Sequence, residues 1–96
     1  MKTAQQIQEQ LSNLKPTLIK RFSVSSIGLF GSYARNEQNE DSDIDIVVDF
    51  SKPVGIEFVD LAEFLEESLK AKVDLVSLNG IKPKYLSVIK SEIVYA

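Results

Sequence analysis

Four residues between positions 31 and 45 have the types and spacing that a phosphate and a metal ion could use. Gly31 and Ser32 form a tight turn in which backbone N–H groups and a hydroxyl can contact a phosphate. Asp43 and Asp45 follow, with one residue between them. On a strand, side chains at i and i+2 share a face about 7 Å apart, within reach of shared divalent ions. A phosphate cradle beside paired carboxylates indicates nucleotide chemistry.

The alternative interpretation of the two aspartates is a strand whose polar face meets water, since most aspartates lie at the surface. Aspartate is disfavoured in strands, however, because its short side chain competes for the backbone. Two of them beside Ile44 and Ile46 therefore indicate a purpose, for which metal binding is the candidate that stands beside the solvated face. Asp49 lies on the same face further along the strand, and we interpret it as structural or exposed.

Asp74 is likewise an aspartate inside a segment that is otherwise typical of a strand, in a second apolar segment, residues 72–78. An ion pair with Lys72 or another lysine is one explanation. The other is that this segment forms a strand beside residues 43–50 and supplies a third carboxylate. Two-metal nucleotidyl transfer requires several anionic oxygens around ions about 4 Å apart. One of the three carboxylates would then act as base for the attacking hydroxyl.

Arg35 lies one helical turn after Ser32 and could clamp a triphosphate oxygen through two hydrogen bonds. It is equally compatible with a solvated arginine or an ion pair with Glu37. The position of the Gly31-Ser32 turn favours phosphate binding, because an apolar strand precedes it and a short helical segment with free amides follows. The turn is not a Walker loop, since the second glycine and the Gly-Lys-Ser/Thr ending are missing.

The composition narrows the chemistry further. The 96 residues include no cysteine and no histidine, which excludes thiol catalysis, disulfides and imidazole bases and leaves oxygen ligands suited to Mg²⁺ or Mn²⁺. The net charge of −3 argues against a nucleic-acid partner. No apolar run is long enough for a signal peptide or a membrane span. We therefore expect a cytoplasmic protein with no membrane partner.

The apolar patterning predicts one domain over residues 1–96, with an α/β (α+β) fold in which helices pack on a small mixed sheet of three to four strands. Two N-terminal helices are expected over about 3–12 and 16–22, with Pro16 opening the second and Ser12 or Asn13 near its cap. Strands are expected over 26–30, 43–50 and 72–78, and further helices over about 56–70 and 83–91. Residues 32–35 suit a short helical turn and 36–42 a solvated loop.

Two stretches resemble the signature of the minimal nucleotidyltransferases, small members of the polymerase-beta-like superfamily often called MNT-type antitoxins. These stretches are Leu29-Phe30-Gly31-Ser32-Tyr33-Ala34-Arg35 and Ser42-Asp43-Ile44-Asp45-Ile46-Val47-Val48-Asp49-Phe50. The family pattern is Gly-Ser, ten residues, Asp-x-Asp and a third acidic residue on a later strand, a place that Asp74 occupies here. Many relatives have glycine where this chain has Asn36, and asparagine also tolerates a positive φ.

The resemblance implies a nucleotidyltransferase palm-like fold, Mg²⁺ as cofactor with two ions, and ATP as nucleotide donor. It implies that Asp43 and Asp45 ligate the metals, and that Asp74 ligates one metal and accepts the acceptor's proton. It also implies that Gly31 and Ser32 hold the triphosphate. In the antitoxin branch of the family, AMP is transferred to a tyrosine of a partner HEPN-type toxin, which is silenced as a result.

Two other functions stay open at this point. One is nucleotidyl transfer to the hydroxyl of a small molecule, which in 96 residues would require a dimer interface or a partner to complete the pocket. The other is a binding module that neutralises its partner by occlusion without catalysis. Whether the protein acts alone, as a homo-oligomer or in a hetero-complex is likewise open.

Overall fold

The computed structural model describes residues 2–96, and its first element is the helix α1 (Ala4–Phe22). Thr3 begins the helix with a capping box: its side chain accepts from the Gln6 N–H at 3.1 Å, and the Gln6 side chain accepts from the Thr3 N–H at 2.9 Å. This exchange satisfies two backbone donors at the helix start. The buried residues on its inner face are Ile7, Leu11, Leu18 and Phe22.

The prediction of two N-terminal helices is wrong, because α1 continues through Pro16. A proline inside a helix removes one backbone donor and crowds the carbonyl four residues earlier, here that of Ser12. Both residues are exposed, so water can hydrogen-bond the carbonyl that loses its partner. Leu11 and Leu18 are fully buried on either side, and each contributes about 2 kcal/mol by burial. Packing of the continuous helix therefore outweighs the local cost of the proline.

The sheet has four strands in the order β3-β2-β1-β4. They are β1 (Val24–Phe30), β2 (Ile44–Phe50), β3 (Val73–Ser77) and β4 (Val94–Tyr95). β1 is antiparallel to β2 and β4, whereas β2 and β3 run parallel. The parallel pair is joined by a crossover helix, α3 (Glu57–Leu69). The predicted small mixed sheet with packed helices is confirmed.

Helices α1 and α3 cover one face of this sheet. On β2, Ile44, Ile46 and Val48 are buried in the same cluster as the inner residues of the two helices. Side chains alternate between the two faces of a strand, so Asp45 lies on the opposite face. The predicted parity of this strand is confirmed, although Asp43 lies one residue before the strand begins.

A short helix and a solvated loop connect β1 to β2. The helix α2 (Gly31–Ala34) follows β1 directly, and Asn36 after it has a φ of 59°, the conformation that asparagine tolerates better than most residues. Ser42 ends the loop as a turn residue, because its hydroxyl oxygen accepts from the Asn39 N–H at 3.0 Å. The loop thereby ends immediately before Asp43.

The C-terminal part of the chain returns to the sheet at its β1 edge. After a 3₁₀ turn (Leu78–Gly80), the helix α4 (Pro83–Glu92) leads into β4. β4 approaches Gly28 so closely that an added Cβ there would lie 2.9 Å from the carbonyl oxygen of Val94. A residue without a side chain is therefore required at position 28. Within residues 2–96, no helix is long and apolar enough to cross a membrane.

Candidate active site

The register of the sheet places Asp45 directly beside Asp74, because β2 and β3 pair in parallel with these two residues as partners. Neighbouring strands lie about 4.8 Å apart, so the two carboxylates leave the backbone side by side. On its other side Asp45 is paired with Phe30, the residue before Gly31. The strands on both sides of Asp45 therefore place predicted site residues beside it, Asp74 on β3 and Gly31 directly after β1. The expectation that the strand of Asp74 lies beside residues 43–50 is confirmed.

The electrostatics of Asp45 reflect these neighbours. Burial raises its pKa, and the negative charges of Asp74 and Asp43 raise it further, while the Arg35 guanidinium opposes the rise. Like charges disfavour each other's ionised form unless a cation is present. The acidic residues predicted for the site thus form one cluster of negative charge.

Asp74 is not neutralised by a lysine. In the part of the chain that the structure describes, both ion pairs within 4.0 Å involve Arg35, so the alternative of an Asp74–Lys72 salt bridge does not hold. No three acidic side chains among residues 2–96 are yet arranged as a group that could hold one metal ion. The donor set nevertheless fits Mg²⁺, which prefers carboxylate oxygens and keeps several waters. A divalent cation would also remove the repulsion that raises the pKa of Asp45.

Gly31 provides a close approach between the turn and the carboxylate of Asp45. A Cβ added at Gly31 would lie 2.2 Å from Oδ2 of Asp45, and the glycine has a φ of +69°. Either feature disfavours a side chain here. The absent side chain is what lets the carboxylate of Asp45 lie against the start of α2.

The start of α2 offers hydrogen-bond donors. Its N-cap residue is Phe30, which has no side-chain oxygen to cap the helix, so the first N–H groups are available to an acceptor. The hydroxyl of Ser32 makes no hydrogen bond to any of the residues that the structure describes. Gly31 and Ser32 are both half-buried. These donors lie beside Asp45, where an anion would meet both the donors and a metal ion held by the carboxylates.

Arg35 is engaged by two carboxylates rather than pointing freely into the site. Its Nε lies 3.0 Å from Oε1 of Glu37 and its Nη1 lies 3.3 Å from Oε2 of Glu92. The Glu37 ion pair is the alternative that the sequence left open for this arginine. The contact with Glu92 joins residues 57 positions apart, so no local pattern could have predicted it. The arginine side chain is 45% exposed, and such surface pairs contribute about 0–1 kcal/mol, so it is free to exchange partners.

An open cleft of about 630 Å³ adjoins the site at Asp43. Its lysines, Lys2, Lys70 and Lys72, were not among the predicted site residues. Lys72 could have been recognised in the sequence by its place two residues before Asp74, directly before β3 begins. Lys2 is brought to the cleft by the start of α1, where its ammonium donates to the carbonyl of Leu69. The cleft reaches the site only at its edge, because neither Asp45 nor Asp74 lines it.

The sequence profile of the nucleotidyltransferase domain matches residues 11–96. The chain belongs to this family. The protein adenylyltransferase MntA of Thermococcus cleftensis is 43% identical over 96 residues, which cover 99% of this chain and 97% of the relative. The matched region includes the turn and all the acidic residues of the site. The enzyme class predicted from the sequence, a nucleotidyltransferase, is therefore confirmed.

Two solved structures share the fold with more distant sequences. A chain from the crystal structure of a toxin-antitoxin with AMP-PNP has a TM-score of 0.71 and 29% identity, covering 86% of this chain and 69% of that chain. A chain from the tri-AMPylated Shewanella oneidensis HEPN toxin in complex with MNT antitoxin has a TM-score of 0.69 and 26% identity, covering 97% of this chain and 71% of that chain. The resemblance to minimal nucleotidyltransferases, and the fold expected from it, are confirmed.

Proposed function

We propose that this protein is an Mg²⁺-dependent adenylyltransferase that transfers AMP from ATP to a tyrosine hydroxyl of a HEPN-type toxin and thereby acts as its antitoxin. The observation that carries the proposal is the parallel register of Asp45 and Asp74 beside Gly31. It is supported by a relative named protein adenylyltransferase MntA and by a structural neighbour that contains an AMPylated HEPN toxin.

Each predicted site residue has a role in this proposal. Asp43, Asp45 and Asp74 would hold two Mg²⁺ ions, which would supply positive charge to the triphosphate and to the pyrophosphate leaving group. The amides at the start of α2 and the hydroxyl of Ser32 bind the phosphates. Arg35 leaves its exposed carboxylate partners for a phosphate oxygen, which accepts bidentate hydrogen bonds as a carboxylate does.

The reaction then follows from the position of Asp74. The oxygen of the acceptor tyrosine forms a bond to the α-phosphorus of ATP while the bond from this phosphorus to the bridging oxygen breaks, releasing pyrophosphate. Asp74 accepts the proton of the tyrosine hydroxyl. A carboxylate within hydrogen-bond reach of the attacking hydroxyl can take this proton as general base. The lack of histidine is consistent with this choice of base.

The test is co-expression with a HEPN-type protein of the same organism, followed by intact mass spectrometry of that protein. We expect a gain of one or more AMP units that disappears in Asp45→Ala and on chelation of Mg²⁺. Asp49→Asn is the matched control, because Asp49 lies on the same strand but away from the cluster, where its carboxylate accepts the Phe50 N–H at 3.0 Å. It should retain the transfer.

Three results would contradict the proposal. Neutralisation of the toxin by Asp45→Ala without any mass gain would mean occlusion. Pyrophosphate release with a small hydroxyl compound, and none with the protein acceptor, would mean a small-molecule substrate. Equal transfer with magnesium and with chelator would exclude the metal-dependent mechanism.

A further inference from the structure

Helix α4 carries an exposed apolar stripe. Tyr85 is 52% exposed and Val88 is 59% exposed, and no residue of the helix is buried. They are three residues apart, so they lie one above the other on one side of the helix. Glu92 follows Val88 by four residues and continues the same line. We call Tyr85, Val88 and Glu92 the α4 stripe.

The α4 stripe leads to the candidate active site. Glu92 at its end forms the ion pair with Arg35 at 3.3 Å, and the charge of Arg35 in turn acts on Asp45. A molecule that covers the stripe therefore also reaches the mouth of the site. Helices α1 and α3 pack on the face of β2 that carries Ile44, Ile46 and Val48, opposite to Asp45, and the cleft at their ends reaches the site only at Asp43.

The surroundings of the stripe are basic in an otherwise acidic protein. Residues 82–92 contain three lysines and one glutamate, a net charge of +2, whereas the whole chain carries −3. The ammonium of Lys84 lies 5.0 Å from the centre of the Tyr85 ring. An apolar stripe with flanking cations is complementary to an apolar groove with an acidic rim.

We propose that the α4 stripe is the surface on which the acceptor protein docks, and that this acceptor presents an apolar groove with acidic residues at its edges. The proposal rests on the proposed function, because a protein acceptor must be held while its hydroxyl reaches Asp45 and Asp74. Contact with the stripe also displaces Glu92 from Arg35, which frees the guanidinium as the acceptor arrives.

The test measures binding of a HEPN-type protein of the same organism by isothermal titration calorimetry. All variants carry Asp45→Asn as background, so that the partner stays unmodified. Val88→Glu introduces a charge into the stripe and should weaken binding at least 10-fold, the effect expected for a residue near the centre of an interface. Lys84→Glu should weaken it at lower salt and less at higher salt.

Val59→Glu is the matched control. Val59 is 54% exposed, as Val88 is, but it lies on α3, whose exterior is acidic. We expect its dissociation constant to stay within about twofold of the background. Binding of ATP in the absence of the partner, measured with Asp45 intact, should be equal in Val88→Glu and Val59→Glu, because neither position touches the site.

The outcomes separate this inference from the proposed function. Loss of binding in Val88→Glu alone supports the docking surface, even if the parent chain transfers no AMP and the proposed function fails. Unchanged binding in Val88→Glu would overturn it, as would equal weakening by Val59→Glu. So would a failure of the HEPN-type protein to bind the Asp45→Asn background protein. Self-association of the chain that Val88→Glu abolishes would also overturn it, since the stripe would then be covered by a second copy.

Discussion

Asp45 and Asp74 are direct partners on the parallel strands β2 and β3, and the half-buried Asp45 has a raised pKa because of burial and of this neighbour's charge. Two carboxylates in this arrangement oppose folding when no cation is bound. The same repulsion favours binding of a divalent ion, so stability and metal affinity are coupled at one pair of residues.

The first prediction concerns Asp45→Asn. Without Mg²⁺ the variant should melt at a slightly higher temperature than the parent. Its free energy of unfolding should be greater by less than about 1 kcal/mol, because the repulsion between Asp45 and Asp74 acts on a half-exposed group. AMP transfer should fall at least about 100-fold, since the variant lacks a carboxylate that would hold the metal ions against the negative charge that develops on the phosphates. Addition of Mg²⁺ and ATP should raise the melting temperature of the parent and not that of the variant.

Asp49→Asn is the control for this experiment and should respond to Mg²⁺ and ATP as the parent does. A variant Asp45→Asn that melts lower than the parent in chelator would show that the carboxylate is stabilising and would contradict the argument from repulsion.

The second prediction concerns Gly31→Ala. A Cβ at this position would lie 2.2 Å from the carboxylate of Asp45, on a backbone with a φ of +69°. The backbone conformation alone costs about 1–2 kcal/mol, and the side chain of Asp45 must move aside. We expect this loss in urea unfolding together with a loss of AMP transfer. Gly80→Ala meets no atom within 4 Å and should leave both unchanged, so equal behaviour of the two variants would contradict the prediction.

The arrangement of the candidate site could be predicted from the sequence because its parts follow local rules. Strand alternation placed Asp45 opposite Ile44 and Ile46, and a carboxylate inside an apolar segment marked Asp74. The pairing of two parallel strands through a crossover helix is the common solution for a strand, a helix and a second strand in this order. Long-range contacts could not be predicted in this way, and the ion pair of Arg35 with Glu92 is the example at the candidate site.

Pro16 shows why local rules also failed. Helix propensity penalises an internal proline by about 3 kcal/mol, but this penalty is a local quantity. The burial of Leu11 and Leu18 on one continuous face is a tertiary quantity that is known only once α1 is packed on the sheet. The prediction of two helices took the proline penalty into account and left out the stabilisation from burying one continuous helix face.

The third prediction follows from this penalty. Pro16→Ala restores a backbone donor to α1 and should raise the free energy of unfolding by about 1–2 kcal/mol, less than the full helix penalty because the unfolded chain also gains freedom. AMP transfer should not change. Pro83 stands at the first turn of α4, where proline is favourable, so Pro83→Ala should give no gain. A destabilised Pro16→Ala would show that the proline supports the curvature of α1.

The fourth prediction concerns Gly28→Ala, which tests how β4 is attached. The added Cβ would lie 2.7 Å from Cγ2 of Ile93 and 2.9 Å from the carbonyl oxygen of Val94, and the second contact is with backbone that cannot rotate away. We expect a loss of about 1–3 kcal/mol by overpacking. Hydrogen exchange should increase at the amides of β4 and less at those of β2. Uniform protection across the sheet would contradict the prediction.

The fifth prediction concerns the pH dependence of stability. Hydrogen bonds from its own backbone N–H and from that of Gly55, the latter at 2.8 Å, lower the pKa of Glu57 at the start of α3. Because the pKa is lower in the folded than in the unfolded protein, the carboxylate contributes stability above its ordinary value of about 4.3. That contribution is lost as the pH falls through the lowered value. Glu57→Gln should therefore be less stable than the parent at neutral pH, and the difference should shrink as the pH falls below the ordinary pKa of a glutamate. Melting temperatures of both proteins from acidic to neutral pH provide the measurement, and a difference that stays constant with pH would show that the charge of Glu57 does not stabilise the start of α3.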